Sequence, residues 1–166
     1  MTLQSFRRGY ERFLEGICIA LMAALALEVT AGVAFRYSGH SLVWYDEVAT
    51  ILLAWVTFYG SALAVLKHAH MGVPEVVRML PAGPRVAAAV VAQLCTMAFF
   101  VLLAWVGYTI LEILASDRLV SLPDVSVAYA NSVIPISAVL FVVGQLLVFP
   151  EVLRSARGEA GARGHA

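Results

Sequence analysis

Four stretches of the chain carry almost no charge. Residues 17–35 hold one charged side chain, Glu28, and residues 48–66, 86–111 and 125–150 hold none. Each reaches the roughly 20 apolar residues that cross about 30 Å of hydrocarbon at about 1.5 Å per residue. Lipid offers a backbone no hydrogen-bond partners, so each stretch is predicted to be a helix that satisfies its own amides. The expected fold is an all-α integral membrane protein, a single domain over residues 1–166 with four transmembrane helices. The spans are expected at about 13–35, 46–66, 86–112 and 126–150.

The charged residues between the spans give an orientation. Arg7, Arg8 and Arg12 precede the first span; Lys67, Arg78 and Arg85 follow the second; Arg154, Arg157 and Arg163 follow the fourth. Only Arg36 and Arg118 fall on the other side. The positive-inside rule then puts both termini and the middle connection in the cytoplasm. The first span outruns the 7–15 apolar residues of a secretory signal, and without it the chain would have an odd number of spans and a broken charge pattern, so it is expected to stay attached.

Composition agrees with this placement and narrows the function. Of the residues, 61% are hydrophobic and 13% charged, against roughly 25% charged in a soluble domain. Eleven basic residues balance eleven acidic ones, which leaves no basic surplus for nucleic acid. Cys18 and Cys95 lie in apolar runs and read as small hydrophobes. The four histidines fall in connections or the tail, away from the facing helices that a membrane haem requires. His68 and His70 stand two apart with no cysteine or carboxylate set around them, so no metal site is expected. With no phosphate-binding glycine loop, HExxH or GxSxG, neither an enzyme nor a cofactor is predicted.

The connections hold the candidate residues. Trp44 and Tyr45 suit the headgroup level, and Asp46 and Glu47 open the second span, where carboxylates favour the positive end of the helix dipole or a basic surface of another subunit. Val73, Val76, Val77 and Leu80 recur at helical spacing, with Pro74 as a first-turn residue and Pro81 as a stop, which predicts a short helix lying on the membrane. Leu122 and Pro123 fall in a short outer loop. Asn131 and Pro135 stand one turn apart in the fourth span, where the proline is expected to bend the helix. Glu28 is the one intramembrane charge and a candidate for bonding to a neighbouring helix or for coupling to a proton or substrate.

In order along the chain come Trp44-Tyr45-Asp46-Glu47-Val48, then Trp55 and Phe58-Tyr59-Gly60-Ser61-Ala62. Lys67-His68-Ala69-His70-Met71-Gly72-Val73 and Leu80-Pro81 follow, and finally Leu122-Pro123, Tyr129 and Ile134-Pro135-Ile136. With these motifs on four spans, the chain resembles the small membrane subunit of tripartite ATP-independent periplasmic (TRAP) transporters over nearly its whole length. It departs from that family at Pro74, where many relatives carry an acidic residue.

The resemblance implies a non-catalytic subunit in the bacterial cytoplasmic membrane. Its system takes up an organic acid, delivered by a periplasmic substrate-binding protein and driven by a sodium gradient. It also implies a large multi-span partner that carries the substrate and sodium sites. Trp44, Asp46, Glu47, Trp55, Gly60, His70, Pro123 and Pro135 then become interface or membrane-positioning residues. Two other readings share the physical features: a stand-alone proton-coupled four-helix exporter using Glu28, and an assembly factor for another membrane complex.

Overall fold

The computed structural model describes residues 3–40, 42–67 and 81–156. The charge-free stretches form helices where the sequence predicts them, and four helical segments are long and apolar enough to cross a membrane. In chain order the described residues form helices α1 (Leu3–Tyr37), α2 (Tyr45–Leu66), α3 (Ala82–Leu114), α4 (Val127–Asn131) and α5 (Val133–Ala156). Among the described residues there is no strand, only an isolated antiparallel bridge between Arg118 and Ser126. The membrane-surface helix expected near residues 73–80 lies outside the described residues, as do His68 and His70.

The helices run past the expected spans at several ends, and the fourth is interrupted. Helix α1 begins at Leu3, ahead of the span expected from about residue 13, because Arg7, Glu11, Arg12 and Glu15 are good helix formers that continue the same spiral. The fourth span breaks at Ser132 instead of bending at Pro135. Pro135 sits in the first turn of α5, where its missing N–H costs nothing. The side chains of Asn131 and Ser132 bond back to Val127 O and Tyr129 O at 3.1 and 2.7 Å, closing off the short helix. Finally, α5 runs through Pro150 to Ala156.

The long helices form an open row. Helix α1 packs on α2, α2 on α5 and α5 on α3, while α1 and α3 have no extensive contact. Of the most apolar window of each segment, 44% is buried in the fourth, 11% in α2 and 6% in α1 and α3. The edge helices therefore leave most of their apolar surface uncovered by this chain.

The sheltered side of α1 follows a seven-residue repeat: Arg7, Leu14, Leu21 and Glu28 alternate with Glu11, Cys18, Leu25 and Gly32. That spacing keeps one seam against a neighbouring helix. A Cβ on Gly32 would collide with the Tyr45 ring, so glycine is what lets the start of α2 lie on α1. At Gly107 a Cβ would stand 3.1 Å from both Ile134 Cγ2 and Pro135 Cδ, marking a close crossing of α3 and α5. The core lies toward the end that carries the termini, where Leu14, Ala62, Val65, Leu66, Phe141 and Val148 cluster. Phe141 stacks on Phe100 of α3 with ring centroids 3.5 Å apart.

Candidate functional site

Helix α2 presents three of the predicted residues at the loop end. Trp44 is the N-cap residue of α2, and its carbonyl accepts the Val48 N–H at 3.1 Å. Asp46, in the first turn, is exposed. Glu47 turns the other way and grips the loop between α3 and α4. Its two carboxylate oxygens accept the backbone N–H groups of Val120 and Ser121 at 3.2 and 2.7 Å. The adjacent acidic residues are thus divided, one facing outward and one tying a loop to α2.

The gripped loop has its own internal order. Val125 N–H donates to Leu122 O at 2.9 Å, which makes Pro123 the second residue of a β-turn, where its fixed φ fits. Leu119 N–H donates to Val125 O at 3.0 Å. The buried Ser126 caps α4: its Oγ accepts from Ala128 N–H at 3.2 Å and reaches the carbonyls of Leu114 and Ala115 at 3.2 Å. One hydroxyl so joins the end of α3 to the start of α4.

Trp55 spans from α2 to the broken fourth span. Its indole N–H donates to Ala130 O at 2.9 Å, one residue before the end of α4. The break at Ser132 and the Trp55 contact therefore lie together, with Pro135 buried just beyond. Gly60, also on α2, faces open space, since a Cβ there would meet nothing within 4 Å. His70 lies outside the described residues.

Glu28 lies in the seam between α1 and α2, one turn before Gly32. Its Oε1 is the one buried side-chain nitrogen or oxygen among the described residues without a hydrogen-bond partner. Among these residues no group of three or more His, Cys, Asp or Glu is placed to hold a metal ion.

Several polar links join the helices outside the predicted set of residues. Gln93 of α3 and Gln145 of α5 are both buried, and Gln93 Nε2 donates to Gln145 Oε1 at 2.7 Å. A signal was present: these are the only glutamines within the charge-free stretches. Tyr10 donates its hydroxyl to Leu140 O at 2.7 Å, crossing from α1 to α5. Arg7 pairs with Glu151 and also donates to Leu66 O at 2.9 Å, so it bridges α1, α2 and α5. Lys67 pairs with Glu15, and the bond to that carboxylate holds the Lys67 ammonium above its ordinary pKa.

Long apolar helices knit by a few polar bonds define a multi-pass membrane protein. Residues 25–155, well over half of the chain, match the family described as "Tripartite ATP-independent periplasmic transporters, DctQ component", and the chain belongs to that family. As members of this family are proteins of the bacterial inner membrane, so is this one.

One relative is the C4-dicarboxylate TRAP transporter small permease protein DctQ of Vibrio cholerae. It is 34% identical over 99 residues, covering 59% of this chain and 41% of that protein. The sialic acid TRAP transporter small permease protein SiaQ of the same organism is 24% identical over 147 residues, 88% of this chain and 84% of its own. The protein y4mM of Sinorhizobium fredii is 30% identical over 146 residues, which cover 86% of this chain but 26% of that one. The chain thus spans about two fifths of the length of the C4-dicarboxylate relative.

Proposed function

We propose that this chain is the non-catalytic small membrane subunit of a binding-protein-dependent, sodium-gradient-driven secondary transporter for an organic acid. It works as one four-span domain with both termini in the cytoplasm, packs on the fixed scaffold of a large multi-span subunit, and offers its outer loops to the periplasmic binding protein. The observation that carries this reading is the open row. Helices α1 and α3 keep most of their apolar surface uncovered along their length, as suits a unit that widens another protein in the bilayer.

The y4mM relative adds support, because there the homologous segment is about a quarter of a longer chain. In that relative the matching segment is covalently joined to a longer chain. The polar side chains between the helices also serve as ties: Trp55, Gln93, Gln145 and Tyr10 each bond across to a neighbouring helix. Trp44, Asp46, Pro123 and Pro135 act in this reading at the loop end as interface or positioning residues, as do Gly60 within α2 and His70 in the middle connection. Asp46 is an exposed carboxylate at the loop end that can meet a basic partner surface.

The experiment is to express the chain with its chromosomal neighbours, purify it in mild detergent and identify by mass what accompanies it. A larger multi-span protein in fixed ratio is expected. A homodimer alone, with proton-coupled export lost in Glu28→Gln, would replace this reading with the stand-alone exporter.

A further inference from the structure

We propose that Arg8 and Arg12 form a binding site for the phosphate of an anionic glycerophospholipid, with an acyl chain lying along Ile19, Ala23 and Ala26 of α1. Helix α1 has 35 residues, about 52 Å at 1.5 Å per residue. It is far longer than the hydrocarbon layer, so its first turns stand at headgroup level.

The basic residues at this end whose side chains are described divide into two groups. Arg7 is held by Glu151 and the Leu66 carbonyl, and Lys67 by Glu15. Arg85 also has a partner. The nearby carboxylates are turned toward the seam, Glu15 pairing with Lys67 and Glu11 adding its charge to the same ammonium. Arg8 and Arg12 are exposed and make no ion pair or side-chain hydrogen bond among the described residues. Two guanidinium groups one turn apart, with their stems about 6 Å from one another, can hold one phosphate between them by charge-assisted bonds.

The deeper residues select a lipid over a soluble anion. At about 100° per residue, Ile19 lies within about 20° of both arginines and about 10 Å further along α1 than Arg12. Ile19 is 68% exposed, and Ala23 and Ala26, on the same side one and two turns on, are also exposed. A charged head above an open apolar track matches a phospholipid.

The test takes the full chain in vesicles holding equal phosphatidylglycerol and phosphatidylcholine, releases it, and counts bound lipid by native mass spectrometry. Phosphatidylglycerol is expected in preference by roughly tenfold or more, given the attraction of two arginines near a charged headgroup. The Arg8→Gln/Arg12→Gln variant should lose the preference with an unchanged melting temperature, whereas Arg36→Gln/Arg118→Gln, with the same charge loss at the loop end, should keep it. Equal retention of the two lipids by the unaltered chain overturns the proposal, as does equal loss in both variants. Displacement of the lipid by millimolar inorganic phosphate overturns it too, since the site would then bind an anion without its apolar part.

Discussion

Where the termini lie, α1, α2 and α5 meet through Leu14, Leu66 and Phe141, and the ion pairs Arg7–Glu151 and Lys67–Glu15 close over them. At the opposite end no such buried cluster stands between the helices among the described residues. Order there comes from the close approaches at Gly32 and Gly107 and from single polar contacts to backbone: Glu47 on the Val120 and Ser121 amides, Trp55 on the Ala130 carbonyl, Ser126 across α3 and α4. The first end resists through packing shared by many atoms. The second depends on a few local contacts, each of which one substitution removes, and is the part suited to adjust to a partner.

The sharpest way to break this contrast is Phe141→Ala, which empties the packed end and unstacks Phe100. A loss of about 3 kcal/mol is expected, the low end of the range for a buried phenylalanine, because in lipid the transfer part of the cost is small. Reversible unfolding in mixed micelles measures it; a loss below about 1 kcal/mol would place the stability elsewhere.

Gln93→Leu comes next, at about 1 kcal/mol, since it leaves Gln145 buried without its partner. The double change Gln93→Leu/Gln145→Leu should be less destabilised than the sum of the single changes, and strict additivity would show that the two side chains do not act as a pair.

Glu47→Ala should leave the midpoint of unfolding nearly unchanged while the loop loosens. Faster amide exchange confined to Val120 and Ser121 is the expected signature, and unchanged exchange would mean that the loop is held by other means.

The smallest effect belongs to Lys67. Its ammonium titrates above the ordinary value of 10.5 in the folded chain because of Glu15. The stabilisation is therefore fully present below that value and fades as pH rises through the higher folded one. The melting-temperature advantage of the unaltered chain over Lys67→Met should persist from pH 7 to 9 and narrow above about pH 10.5. A gap that stays constant to pH 12 would deny the ion pair a part in it.

Much of the architecture was legible in the sequence because lipid enforces it. Four charge-free stretches of spanning length leave the backbone no choice but helices, and the order of the motifs from Trp44 to Pro135 pointed to the family. The neighbour relations were not legible. In a soluble helix the apolar stripe marks the buried side, but here α3 carries apolar residues on every side, and lipid and protein ask for the same side chains. Phe141 and Phe99 look alike in the sequence, though one is buried and the other faces outward.

The acidic pair shows the same limit on a smaller scale. Its place at the start of α2 was readable, yet which carboxylate would turn inward depended on where a loop more than seventy residues later passes. Pro135 was a visible irregularity, but the break fell three residues earlier because Asn131 and Ser132 offered the backbone local alternatives.

The open row also bears on how the chain is made. Helices α1 and α2 form one hairpin and α3 with α5 another, and the two meet chiefly along α2 and α5. The first hairpin can complete its seam, Gly32 against Tyr45 included, before α3 has left the ribosome. The second can pair within itself through Gln93, Gln145 and the Gly107 crossing. Assembly then reduces to docking two finished pieces, with Tyr10 and Arg7 of the earlier piece waiting for Leu140 and Glu151 of the later one.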